Sequence, residues 1–147
     1  MRLIGAGLIT SLKKALATLE EALVEYDKDN GNAFVRDSCV KRFEYTYELS
    51  IKMLRRYLIE TEASVSKDGL DGLISFKDIV RMGLAKGLFK SSVEKWSEYR
   101  DARNLTSHTY ELKNAENVIA AAFELAKEAR EYVDELEKQI AKESADE

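Results

Sequence analysis

The apolar residues of this chain recur at steps of three and four, which is the spacing of amphipathic helices. The first segment begins at Ile9, and its apolar positions are Leu12, Leu16, Leu19, Leu23 and Tyr26. These positions form one stripe on a helix, for which either Thr10 or Ser11 is the predicted N-terminal cap. The "DNG" sequence at Asp29–Gly31 is predicted to end it.

The second helix is predicted to run from about Phe34 to Glu62 and has a broader apolar surface. One stripe consists of Val40, Phe43, Tyr47, Ile51, Leu54 and Leu58. Beside it lie Tyr45, Leu49, Met53 and Tyr57. A helix that is apolar over so much of its circumference contacts neighbours on two sides, as a central bundle helix or a dimer helix does.

Three further helices follow a predicted loop, "SVSKDGLDGLIS", which covers residues 64–75. Ser75 and Asp78 have the spacing of a capping box and predict a short helix that ends before Gly87. Ser91 and Glu94 repeat that spacing, so a fourth helix is expected there, extending to about Ser107.

The fifth predicted helix has the most regular pattern, with Asn114 as its expected cap. Its stripe contains Ala115, Val118, Ala122, Leu125, Ala129, Tyr132, Leu136 and Ile140, flanked by Ile119, Phe123, Ala126 and Val133. No segment shows the sustained alternation of a strand. The pattern therefore predicts an all-α, up-down antiparallel bundle of about five helices. We expect a single domain over residues 1–147, with its core at about 9–143.

Composition supports helices and restricts the partners. The chain has no proline, one cysteine and a net charge of −4, from 23 basic and 27 acidic residues. A single cysteine, Cys39, excludes an internal disulfide and a cysteine-based zinc site, and is expected to pack as a small buried residue. An acidic chain does not coat nucleic acid, so any contact with RNA must be local or arise in a groove formed on assembly.

No apolar run approaches the roughly 20 residues of a membrane span. The apolar start of the chain is short and is followed by Lys13 and Lys14 without a small-residue cleavage site. We therefore expect a cytoplasmic protein without membrane contact.

Candidate chemistry is concentrated in "EYRDARNLTSHTY", Glu98–Tyr110, which contains the only histidine of the chain. At about 100° per residue, Arg103 shares a helix face with Trp96 and Tyr99. A guanidinium on an aromatic stripe is costly to bury unless it is paired. Arg103 is therefore either held in place for a function or stacked on one of these two rings.

The position of His108 leaves two possibilities open. If the helix continues, His108 lies one turn from Asn104 and about 140° from Arg103, so that the arginine and the histidine flank a groove. If the helix breaks within "TSHTY", where hydroxyl side chains compete for backbone hydrogen bonds, His108 swings back.

This set of side chains suits RNA cleavage. A histidine can accept the proton of a 2′-hydroxyl or protonate the leaving 5′-oxygen, and an arginine can bind the phosphate and stabilise the developing charge. Asn104 can orient the imidazole. The chemistry requires no metal and no cofactor. Glu44 and Glu48, one turn apart, could bind a cation, although a solvated or salt-bridged face is the favoured interpretation.

The segment "RNLTSHTY", Arg103–Tyr110, reads R-x-x-x-x-H-x-Y and resembles the signature of the HEPN superfamily, in particular its HepT branch. The segment Lys41–Leu58, "KRFEYTYELSIKMLRRYL", resembles the second helix of the nucleotidyltransferase substrate-binding proteins. The likeness extends from about Leu12 to Tyr132.

The resemblance implies a homodimer in which the motifs of both subunits face one cleft, and a minimal nucleotidyltransferase as partner. Several such proteins are metal-independent endoribonuclease toxins, and the nucleotidyltransferase is the antitoxin that places AMP on the motif tyrosine. If these roles are transferred to this chain, Arg103 and His108 would be the catalytic residues that act on single-stranded RNA. Asn104 would support them, and Tyr110 would be the AMPylation site. Two other functions stay open: a non-catalytic subunit that presents substrate to a nucleotidyltransferase or regulates it, and a structural bundle that only mediates assembly.

Overall fold

The computed structural model describes residues 6–62 and 75–145, and within these ranges the chain is helical without strands. The helices are α1 (Ala6–Lys28), α2 (Ala33–Thr61), α3 (Phe76–Ala85), α4 (Val93–Leu105) and α5 (Leu112–Ala145), with a 3₁₀ turn at Thr106–His108. The predicted all-α bundle of five helices is confirmed. The predicted loop lies outside the described residues, apart from Ser75. None of the described helices is long and apolar enough to cross a membrane.

Helices α1, α2 and α5 form the body of the bundle. Tyr132 Oη donates to the carbonyl of Ser50 at 2.9 Å, and Tyr57 Oη donates to Gln139 at 2.9 Å. Residue numbers thus rise together along α2 and α5, so these two helices run parallel. Helix α1 forms ion pairs with α5 between Lys13 and Glu137 and between Glu20 and Arg130. Residue numbers rise along α1 as they fall along α5, so α1 is antiparallel to both other helices.

The core is formed by the predicted stripes. Leu12, Leu16 and Leu19 of α1 are fully buried, as are most stripe residues of α2 and α5. The exceptions are Tyr26, Ile51 and Ile140, which are half-buried, while the flanking Phe123 is 37% exposed. An aromatic cluster of Phe89, Trp96, Tyr99 and Tyr132 joins α4 to α5, with ring centroids 5.0–6.2 Å apart. Burial of these large rings anchors α4, which carries the candidate site.

The cysteine behaves as expected of a small core residue. Cys39 is fully buried in α2, and its thiol donates to the carbonyl of Ala22 at 3.3 Å. Burial raises its pKa from 9.0 to about 11, outweighing the opposing influence of Arg42. The thiol is therefore protonated at neutral pH and unreactive.

Of the N-terminal caps predicted for four helices, the cap of α3 is confirmed and those of α1, α4 and α5 are wrong. Ser75 caps α3, and its hydroxyl accepts from the amide of Asp78 at 3.2 Å, as predicted. Helix α1 begins earlier than predicted, at Ala6, so neither Thr10 nor Ser11 caps it. Ser11 instead donates its hydroxyl to the carbonyl of Gly7 at 3.1 Å, a bond that is available only inside a helix.

The cap of α4 is Ser92, one residue beyond the predicted Ser91, because the Ser92 hydroxyl accepts from the amide of Lys95 at 3.1 Å. The backbone amide of Ser91 donates instead to the buried carboxylate of Glu128 at 3.2 Å. The predicted cap Asn114 is also wrong, since α5 already begins at Leu112. Asn114 lies inside its first turn.

We expect Gly83→Ala to destabilise the protein by about 1–2 kcal/mol, although alanine favours helix by about 1 kcal/mol. An added Cβ would lie 2.6 Å from Phe89 Cζ and 3.1 Å from Leu54 Cδ1. The Phe89 ring cannot retreat, because it packs against Trp96 and Tyr132.

Thermal unfolding followed by circular dichroism measures this effect, and Gly7→Ala is the matched control. That position is also helical, and a Cβ added there would have nothing within 4 Å. An unchanged or raised Tm for Gly83→Ala would contradict the tight packing of α3 on the aromatic cluster.

Candidate functional site

The helix that carries the motif breaks within it. The α-helical part of α4 ends at Leu105, and Thr106–His108 form a 3₁₀ turn. The hydroxyl of Thr106 donates to the carbonyl of Arg103 at 2.7 Å, and the hydroxyl of Thr109 donates to the carbonyl of Thr106 at 3.3 Å. Of the two predicted possibilities the helix break is therefore confirmed, with the expected physical cause. His108 consequently does not follow the α-helical repeat of Arg103.

The His108 side chain is exposed and unengaged, whereas its backbone is fixed. Its carbonyl accepts from the Asn114 side-chain amide at 3.0 Å and from the backbone amide of Glu111 at 3.4 Å. Within the described ranges the imidazole nitrogens make no hydrogen bond. The turn and α5 are thereby held together while the imidazole stays available for proton transfer.

The ring of Tyr110 lies beside the imidazole. The two ring centroids are 6.3 Å apart at an interplanar angle of 69°, an edge-on arrangement. Tyr110 is 81% exposed, which is unusual for so large a side chain. Most of its ring is therefore in contact with solvent.

Arg103 is held by a carboxylate from α2. Its Nε donates to Glu48 Oε1 at 2.7 Å, and Nη2 lies 2.6 Å from the same oxygen. The predicted alternative, in which Arg103 stacks on Trp96 or Tyr99, is not what the structure shows. Those two rings pack edge to face on each other in the core.

The contact with Glu48 orients the guanidinium but occupies only some of its N–H donors. A guanidinium has five N–H donors in a rigid fork, and Glu48 occupies only the edge formed by Nε and Nη2. The Arg103 side chain retains 32% of its exposure, so the edge formed by Nη1 and Nη2 can still bind an anion.

Asn104 does not take the place that the sequence suggested. It is exposed, and no hydrogen bond joins it to His108 in the part of the chain that the structure describes. The asparagine side chain that does bond to this residue is that of Asn114, which donates to the backbone carbonyl of His108. The spacing of Asn114 predicts a helix cap and not this contact. The pairing of Glu48 with Arg103 has no local signal, because 55 residues separate them.

The two carboxylates of α2 are salt-bridged, which confirms the favoured interpretation. Glu44 pairs with Lys41 at 3.7 Å, and Glu48 pairs with Arg103. Among the described residues no group of three or more His, Cys, Asp or Glu side chains is placed to hold a metal ion.

Several charged side chains surround the Tyr47 hydroxyl between α2 and α4. Burial raises the pKa of Tyr47 from 10.0 to about 12, while the charges of Arg100, Arg55 and Arg103 act in the opposite direction. Three arginines therefore lie near one hydroxyl. Asp101 acts in the same direction as burial, so the charges around this hydroxyl are of both signs.

The chain is similar to known proteins over most of its length. A family model described as "Nucleotidyltransferase substrate binding protein like" matches residues 8–138. Over 117 residues the chain is 37% identical to a Haemophilus influenzae protein named "Probable ribonuclease HepT", covering 74% of this chain and 77% of the relative.

A solved structure from Haemophilus influenzae, described as revealing the fold of a substrate-binding domain of a nucleotidyltransferase, superposes with a TM-score of 0.78. The two chains are 31% identical, and the match covers 88% of this chain and 98% of the other.

Proposed function

Since the chain belongs to the nucleotidyltransferase substrate-binding protein family, we propose that it is a HepT-like, metal-independent endoribonuclease that partners a minimal nucleotidyltransferase. In this proposal Arg103 and His108 cleave single-stranded RNA in the cytoplasm, and the partner is the antitoxin of a toxin-antitoxin pair. The observation that carries the proposal is the exposed imidazole of His108, which makes no hydrogen bond within the described ranges. It lies on a hydrogen-bonded turn that directly follows the helix end bearing Arg103.

The reaction needs only acid-base chemistry and charge stabilisation. An imidazole accepts the proton of the 2′-hydroxyl, the 2′-oxygen attacks the adjacent phosphorus, and the bond to the 5′-oxygen breaks. The leaving oxygen takes a proton, which gives a 2′,3′-cyclic phosphate and a 5′-hydroxyl. A homodimer would bring two copies of His108 to one cleft, so that one acts as base and the other as acid.

Arg103 would bind the scissile phosphate through the guanidinium edge that Glu48 leaves open. The negative charge on the phosphate oxygens increases in the transition state, and a prepositioned guanidinium stabilises it without reorganisation. In this mechanism Asn104 has at most a supporting role, because it makes no hydrogen bond to His108 in the described ranges.

The test of the proposal is an RNA-cleavage assay in EDTA with protein produced without its partner and shown by mass spectrometry to be unmodified. Cleavage that yields a cyclic phosphate supports the ribonuclease. The acidic net charge of −4 and the substrate-binding description of the family favour one alternative, a non-catalytic subunit of the nucleotidyltransferase. Absence of cleavage over a range of RNAs, together with a stable complex, would establish that alternative.

Tyr110 would be the site of regulation by AMPylation. Its hydroxyl attacks the α-phosphorus of ATP, pyrophosphate leaves, and AMP remains on the tyrosine. The new phosphate and nucleoside would lie beside His108, given the 6.3 Å ring separation, and would repel and displace RNA.

We therefore expect Tyr110→Phe to cleave RNA at about the wild-type rate but to escape inhibition by the nucleotidyltransferase and ATP. The loss of one exposed hydroxyl should not affect folding. Tyr45→Phe is the control, because the Tyr45 hydroxyl is engaged with Thr18 Oγ1 at 2.7 Å. Incorporation of adenylate into Tyr110→Phe would exclude Tyr110 as the acceptor.

Glu48 should act as a positioning residue for Arg103. We expect Glu48→Ala to lower kcat by about 10-fold or more, because a freed guanidinium must be reoriented in each cycle. Glu48→Gln should retain most of the rate, since its amide oxygen still accepts from Nε and Nη2. Steady-state kinetics of both variants provide the measurement. An equal loss in both would contradict a role based on hydrogen-bond geometry.

A further inference from the structure

Helix α4 presents a second arginine beside Arg103. Arg100 lies three residues earlier, so the two side chains are neighbours on one helix face, with about 5–6 Å between their Cβ atoms. Along the chain Arg103 stands between Arg100 and the turn that carries His108. An extended strand bound at Arg103 and His108 can therefore continue past Arg100.

The guanidinium of Arg100 lies over an aromatic ring. Its Cζ lies 4.4 Å from the centroid of Phe76, the first residue of α3. A guanidinium that covers an aromatic face keeps its N–H groups in its own plane, where they can meet oxygen acceptors. The contact fixes where the cation lies, and none of its N–H groups donates to a described residue.

Arg100 also differs from several other arginines of the protein in having no anionic partner among residues 6–62 and 75–145. Arg56, Arg81, Arg103 and Arg130 each pair with a carboxylate. Over residues 6–62 and 75–145 no carboxylate or carbonyl accepts from Arg100. The residue is half-buried, so its charge has lost part of its hydration, and no counter-ion compensates for this loss in the described part of the chain. An incoming phosphate would supply one.

We propose that Arg100 binds the RNA phosphate adjacent to the scissile one, on the side of Arg103 that faces away from His108. This proposal rests on the function proposed above and adds a substrate-binding position to it. The site then engages at least two consecutive phosphodiesters, and Arg100 contributes to binding of the substrate and not to the chemical step. The guanidinium of the neighbouring Arg103 adds to the attraction.

The first test compares Arg100→Gln with wild type on two substrates, a dinucleoside monophosphate with one phosphodiester and a longer single-stranded RNA. We expect KM for the longer RNA to rise about 10-fold with kcat unchanged, and no effect on the one-phosphate substrate. Arg81→Gln is the matched control, because Arg81 is an exposed arginine of α3 that pairs with Asp78. A loss of kcat, or an equal loss on both substrates, would overturn the proposal.

The second test is direct binding of the longer RNA in the His108→Ala background, which prevents turnover. Arg100→Gln should reduce the slope of the logarithm of affinity against the logarithm of salt concentration by the amount expected for about one phosphate contact. Arg100→Lys should restore most of that slope. An unchanged salt dependence in Arg100→Gln would overturn the proposal, because it would mean that Arg100 contacts Phe76 but no phosphate. If wild type cleaves no RNA, the proposed ribonuclease fails, and this binding measurement still decides the role of Arg100.

Discussion

Replacing His108 with alanine is expected to lower the RNA-cleavage rate by about 100- to 10,000-fold, the contribution of a positioned general acid-base group. The fold should be unaffected, because the imidazole is exposed and its only ring contact in the described ranges is with Tyr110. The backbone carbonyl that Asn114 binds is retained in the variant. Single-turnover cleavage in EDTA measures the effect, and thermal unfolding verifies that the free energy of unfolding changes by less than about 0.5 kcal/mol.

Asn104→Ala is the comparison for this variant. Asn104 is exposed, as His108 is, and lies on the last turn of α4, but no described hydrogen bond connects it to the imidazole. We expect its cleavage rate to fall by less than about 10-fold. If His108→Ala retained wild-type activity, a general acid-base mechanism centred on His108 would be untenable.

Replacing Arg103 with alanine is expected to lower kcat by about 100- to 1,000-fold, the loss found when a preorganised donor to a developing oxyanion is removed. The effect on stability should be small. The ion pair with Glu48 is substantially exposed, with side-chain exposures of 32% and 51%, and such pairs contribute at most about 1 kcal/mol.

The chain supplies a matched control in Arg130. This residue forms a similar inter-helix pair with Glu20, joining α5 to α1, with side-chain exposures of 41% and 40%. Arg130→Ala should therefore change the free energy of unfolding about as much as Arg103→Ala and leave kcat unaltered. Equal losses of activity in the two variants would mean that the effect arises from helix packing.

The fold was largely predictable because burial in a bundle is periodic. Leu12, Leu16 and Leu19 are fully buried, as their spacing indicated, and the same holds for most of the stripe on α5. A chain of this composition has few other ways to remove such stripes from water. Helix ends were less predictable, because several neighbouring residues can cap a helix. Ser92 caps α4 while the amide of the adjacent Ser91 is taken by Glu128, which is distant in sequence.

The candidate site was predictable in its local part only. The motif segment can be located from its residue pattern. The break at Thr106–His108 follows from hydroxyl side chains that bond to the nearby backbone. The partners of the arginines do not follow from local spacing. Glu48 and Phe76 come from other helices, and only the packing of α2 and α3 against α4 brings them to Arg103 and Arg100.

The aromatic cluster also gives the protein an internal optical probe. Trp96 is the only tryptophan of the chain, is 1% exposed and has no described hydrogen-bond partner for its indole nitrogen. Emission from so apolar a setting is blue-shifted and moves to longer wavelength when water reaches the ring. Because Trp96 lies on α4, about two turns before Arg103, its spectrum reports whether that helix is intact. One fluorescence spectrum of each purified variant would thus separate a chemical defect from a displaced helix.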